Sequence, residues 1–167
     1  VCSTQWLNMH TGICENKGVV EQDRDFSLEE IILEKKGRAF QYASVFVKTE
    51  IMNSWPEWRR KFPIGDYPLA VLAGLNGKVH MLADVMTVYR YFAANSWTAR
   101  MDSDEKRTKV CRRMIEGLEA LDEATGGQHH NVIMQRICRQ KYTLALMTHD
   151  LKLLRSEELR PIYGSRK

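Results

Sequence analysis

The chain has 167 residues, 44% of them hydrophobic, with only 10 Gly and 4 Pro and a formal net charge of +4. That composition excludes a disordered or collagen-like chain and predicts a single domain, 1–167, able to bury its core without a disulfide or metal. The longest apolar run, Leu69 to Leu75, is far below the roughly 18 residues needed to cross a bilayer, so no membrane partner is expected.

Val1 to Glu15 carries Trp6, Leu7 and Met9 but no basic lead before a continuous apolar stretch, which argues against a secretory signal. The absence of an initiator Met suggests a trimmed or processed chain. Residues 1–25 are expected to be less regular, as is the tail at 161–167. Cys2, His10 and Cys14 offer soft ligands, but their spacing fits no common zinc pattern and no fourth ligand lies nearby. The four cysteines form no C-x-x-C pair. Cys111 and Cys138 fall among apolar residues as structural thiols, a usage that suits a reducing, intracellular setting, cytoplasmic or nuclear.

Ser27-Leu28-Glu29-Glu30 is a capping box, with Phe26 and Ile31 at the staple positions, and predicts a helix from Leu28 that stops near Lys36 before Gly37. Arg38 to Met52 suits a buried helix or a short strand about equally, with helix preferred. Ser54-Trp55-Pro56-Glu57 reads as a second capping box, opening a short helix over Trp55 to Lys61 that Pro63 ends. Asp66 caps another, Tyr67 to Leu75.

Asn76-Gly77 could make a hairpin turn. Val79, Leu82, Val85, Met86, Tyr89, Phe92 and Ala93 recur at three- and four-residue steps, however, and predict a helix from Lys78 to about Ala94 with Gly77 as a terminator. Asp102-Ser103-Asp104-Glu105 starts a further helix with the stripe Val110, Cys111, Met114, Ile115, Leu118 and Leu121, closed by Gly126-Gly127. Gln128 to about Arg155 forms the last, bent near Thr148 to Asp150. The expected fold is mainly α, a compact bundle of five to seven helices with room for one short strand pair.

No phosphate-binding Gly-rich loop, H-E-x-x-H, G-x-S-x-G or dinucleotide fingerprint is present, which points away from an enzyme and names no catalytic residue, cofactor or metal. His129-His130 reads as a polar helix start. His80 with Asp84 reads as a surface hydrogen bond. Glu105–Lys109 and Arg112–Glu116 are helix-spaced ion pairs, and Lys106, Lys109 and Arg113 share a face.

Charge is uneven: residues 1–83 hold 10 basic and 10 acidic side chains, residues 84–167 hold 15 and 11. In Trp55-Pro-Glu-Trp58-Arg59-Arg60-Lys61-Phe62-Pro63 three consecutive cations are flanked by aromatics. Such a mixture can neutralise phosphates while aromatic planes stack on unpaired bases. Tyr89, Arg90 and Arg100 repeat it on a smaller scale, and Arg136, Arg139 and Lys141 add cations from the last helix. The competing reading makes Trp55, Trp58 and Phe62 core anchors, with the cations reaching outward.

Two functions follow as expectations. One is single-stranded RNA binding through backbone phosphates and aromatic stacking, in a packaging or coating role, by Trp55, Trp58, Arg59, Arg60, Lys61, Tyr89, Arg90, Arg100, Arg136, Arg139 and Lys141. The other is a non-enzymatic interaction or assembly module, with a protein partner or a homo-oligomer, in which surplus Met and Trp side chains serve an interface.

Overall fold

The computed structural model describes residues 1–34 and 40–163, with only the backbone for Pro161 and Tyr163. It corrects the expected mainly α bundle with at most one short strand pair, because the chain also forms a four-stranded mixed sheet. The chain forms two compact units: a sheet unit of residues 1–55 and 64–101, and a helical unit of residues 56–63 and 102–167.

In the sheet unit, β1 (Cys2–Asn8), β2 (Cys14–Gly18) and β3 (Arg24–Phe26) occupy the segment expected to be irregular. α1 (Leu28–Leu33) begins at the foreseen capping box: Ser27 Oγ accepts the Glu30 N–H, and the Glu30 carboxylate accepts the Ser27 N–H. The helix ends earlier than expected, with Glu34 in the left-handed region at φ 46°. The expected stop near Lys36 and cap at Gly37 lie outside the described residues, as does the start of the Arg38 to Met52 segment. The rest of that segment holds a 3₁₀ turn, Tyr42–Ser44, and α2 (Thr49–Asn53).

α3 (Asp66–Asn76) follows, with Gly77 after its last residue as foreseen. Gly74 faces α1; a Cβ there would lie 3.0 Å from Ile31 Cδ1, so the glycine permits the close approach of the two helices. Tyr67 Oη donates to the Ile32 carbonyl at 2.9 Å, and Ile31, Ile32, Leu69, Val71, Val79 and Met81 fill the interior.

β4 (Val79–Tyr91) stands where a helix was expected. Its Val, Thr and Tyr content favours a strand. The order is β2-β1-β4-β3, with β1 and β4 parallel and the outer pairs antiparallel. Cys2 pairs with Leu82, Ser3 with Val85 and Thr4 with Thr87, so β4 carries surplus residues against β1. These bulges set apolar side chains three residues apart, as at Leu82 and Val85, and so imitate helical spacing. Beyond them the two-residue period is plain: Thr87, Tyr89 and Tyr91 are sheltered while Val88 and Arg90 are exposed. A short α4 (Trp97–Arg100) closes the unit.

The helical unit is built on α5 (Asp104–Ala124) and α6 (His130–Met147), joined by Gly126 and Gly127, both at positive φ. Ser103 rather than Asp102 is the N-cap of α5, accepting the Lys106 N–H. Met114, Leu118 and Leu121 face Ile133, Ile137 and Leu144 in a shared interior. The foreseen bend is a break: His149 has φ 54°, and α7 (Leu151–Leu154) starts anew with Asp150 as its cap. Arg160–Tyr163 is a final helical turn, α8, where a less regular tail was expected; residues 164–167 lie outside the description.

Candidate functional site

The Trp55 to Phe62 segment does not form the expected helix from a Ser54 cap. Ser54 ends α2, its hydroxyl donating to the Ile51 carbonyl at 3.2 Å, and the turn over Glu57–Lys61 is 3₁₀ with no side-chain cap. That turn packs on α5. Trp58 is only 8% exposed and meets Phe62 edge-on, the ring centroids 5.9 Å apart. Phe62 lies over Gly117, where a Cβ would come within 2.6 Å of the ring, so α5 needs glycine there. Two of the aromatics are therefore core anchors.

Two of the three cations of the same turn point outward. Arg60 is exposed and pairs with Glu57 at 3.2 Å, Lys61 is exposed, and Arg59 is half-buried. Arg113 of α5 donates from Nη2 to the Arg60 carbonyl at 2.8 Å and from Nε to the Lys61 carbonyl at 3.3 Å. Its guanidinium thus satisfies carbonyls at the end of the turn and lies at the base of the exposed Arg60 and Lys61, a cationic cluster beside the half-buried Arg59. Of the α6 cations, Arg139 is exposed, Arg136 is half-buried, and Lys141 is ion-paired with Glu158.

Trp55, Tyr89, Arg90 and Arg100 belong to the sheet unit, whereas the Arg60 and Lys61 turn belongs to the helical unit. Trp55 is half-buried and Arg100 is exposed on α4. Strand alternation sends Tyr89 and Arg90 to opposite faces, so they do not share a surface. Tyr89 instead packs on Trp6, centroids 4.9 Å apart, and Trp6 also meets Tyr91 at 5.6 Å. Lys17 lies 5.1 Å from the Tyr91 ring centre and pairs with Glu15 at 2.6 Å. The Lys17 ammonium, followed by the Tyr91 hydroxyl, holds the Glu15 carboxyl below its usual range, and Glu15 in return raises the Tyr91 phenol. This cluster satisfies its own charges.

Two of the histidines pair with acids on other elements. His80 Nδ1 lies 2.8 Å from Asp25 Oδ1 on β3, not beside Asp84, and it depresses the Asp25 carboxyl together with Lys78. His130 Nδ1 meets Asp122 Oδ2 at 2.6 Å. Burial pushes the thiols of Cys111 and Cys138 up. Among the described residues no three His, Cys, Asp or Glu side chains are grouped to hold a metal ion, and no helix is long and apolar enough to cross a membrane.

One surface was hidden by the helical reading of β4. β3 pairs only with Val79 to Met81, and the Ala83 N–H is taken by the Asp23 carboxylate at 2.7 Å. The Tyr91 carbonyl accepts from Met9 on the β1 side at 3.1 Å, so alternation turns the Tyr89 backbone toward β1 and the Val88 and Arg90 backbones toward the other edge. On that edge the Phe92 N–H reaches Thr98 Oγ1 at 2.9 Å. Between Ala83 and Phe92 no strand flanks it among the described residues. Its side chains include Val88, 50% exposed, and Met86, 59% exposed, with Val85 also exposed. Comparison of the chain with protein-family models, curated proteins and solved structures finds no match.

Proposed function

We propose that this chain is an interaction module that assembles through the open edge of β4. The observation that carries the reading is the coincidence of a strand edge that no strand flanks among the described residues and the exposed apolar side chains Val85, Met86 and Val88. Open edges recruit another strand unless charge, proline or a covering segment prevents it, and exposed apolar side chains add to the gain. Light scattering across a concentration series tests the reading. Association that grows with concentration and is lost on Val88→Lys, with the circular dichroism unchanged, is expected. A monomer throughout, or association indifferent to Val88, overturns it.

A second reading rests on the cluster of Arg59, Arg60, Lys61 and Arg113, which suits phosphate contacts of a nucleic-acid backbone. The buried Trp58 and Phe62 leave it without base stacking from those two rings, so it rests on backbone contacts. Single-stranded RNA should then bind with a steep salt dependence that flattens when Arg59, Arg60 and Lys61 are replaced by Ala. Affinity unchanged by that triple replacement removes the site.

A further inference from the structure

We propose that the anionic partner of the turn over Glu57–Lys61 is a double-stranded nucleic acid, held by its phosphates against that turn and one face of α5. The inference rests on the second reading above and names its partner. Trp58 is 8% exposed and Phe62 6%, so neither ring offers a face to an unpaired base. A single-strand binder draws affinity from such stacking, whereas a duplex keeps its bases stacked on one another and presents a denser row of phosphates. A cationic turn whose rings are buried therefore favours the duplex.

α5 extends the charge of the turn. Lys106, Lys109 and Arg113 lie three and four residues apart on one face, over about 10 Å of helix. Arg113 spends Nη2 and Nε on the Arg60 and Lys61 carbonyls, and its Nη1 N–H groups have no partner among the described residues. A guanidinium fixed in this way loses little freedom when it meets a phosphate. Carboxylates offset part of the row: Glu57 pairs with Arg60 at 3.2 Å and Asp102 with Lys106 at 2.8 Å. Lys61, Lys109 and Arg113 form no ion pair among the described residues, either with those acids or with Glu105 and Glu116 of the same helix. These three cations are left to displace counterions from phosphates.

Fluorescence anisotropy over a salt series makes the test, with the full chain and three probes: a mixed-sequence DNA duplex, one of its separated strands, and the RNA of the same sequence. Three phosphate contacts should give the logarithm of duplex affinity a slope of about −3 against the logarithm of salt, and single strands about −2. At low salt the duplex should bind about five-fold tighter than either strand. Lys61→Ala and Lys109→Ala, both at exposed positions, should each lower the duplex slope by about 1 with the circular dichroism unchanged. Arg113→Lys keeps the charge but loses the fork on the two carbonyls, so it should weaken duplex binding several-fold at an unchanged slope. A single strand bound more tightly than the duplex, and still weakened by replacing Arg59, Arg60 and Lys61, overturns the duplex and leaves the second reading standing. Duplex binding indifferent to Lys109 likewise overturns the part given to α5. No binding of any probe at low salt removes both.

Discussion

Val79–Tyr91 and Asp104–Ala124 both space apolar side chains three and four residues apart, yet the first is a strand and the second a helix. α5 has what an isolated helix needs: Ser103 as a cap, Asp104 and Glu105 in its first turn, and a run of Lys, Arg, Glu, Leu and Ala. β4 lacks a side-chain cap and is rich in Val, Thr and Tyr, and its spacing comes from bulges against β1. Periodicity alone does not separate a helix from a bulged strand. Periodicity read together with capping and β-branching does.

The largest expected effect bears on the helical side of that contrast. Trp58→Ala should cost about 3–5 kcal/mol of stability, as truncation of a core aromatic does. Denaturant unfolding measures it. A loss below about 1 kcal/mol would mean that the indole is not an anchor and would restore it as a stacking candidate.

Proline scanning sharpens the strand side. Tyr89→Pro removes an N–H that faces β1 and should cost about 3 kcal/mol, whereas Val88→Pro faces the open edge and should cost under about 1 kcal/mol. Equal losses at the two positions would show that the edge is paired after all, and a helical β4 would suffer at both.

The two serines read as capping boxes separate a real cap from a mimic. Ser27→Ala should cost about 1 kcal/mol by freeing the Glu30 N–H, and Ser103→Ala about as much. Ser54→Ala, which loses only a bond to the Ile51 carbonyl, should change stability by a few tenths of a kcal/mol. Thermal unfolding of the three variants ranks them.

The smallest expected effect is a pH dependence. The Ser27 backbone N–H, followed by Arg24, holds the Glu30 carboxyl below its usual range. The folded value lies below the unfolded one of about 4.3, so the stabilisation is fully present above that pH and is lost as pH falls through the folded value. Glu30→Gln should flatten the acid limb of the stability curve. An unchanged acid limb would place the proton uptake elsewhere.

What could be read without the fold is the set of features that depend on neighbours in sequence. The Ser27 box, the helix ends at Gly77 and at Gly126-Gly127, the long α5 and the break near His149 are all local, since caps and left-handed residues act within one turn. The core role of Trp58 and Phe62 was legible in their spacing, but the glycine at 117 that admits Phe62 lies on another helix. Three features came from partners distant in the chain: the parallel pairing of β1 with β4, the replacement of Asp84 by Asp25 as the partner of His80, and the joining of Arg113 to Arg60 and Lys61. Hydrogen bonds between segments some fifty to eighty residues apart leave no mark on the local pattern, and a strand edge exists only relative to the strand that does or does not lie beside it. The sequence by itself determined the Ser27 cap, the breaks at Gly77 and Gly126-Gly127 and which side chains are apolar enough to bury; the tertiary structure alone decided that Val79–Tyr91 is a strand, because its backbone is satisfied by β1, and that the Val88 and Arg90 backbones face outward from its far edge.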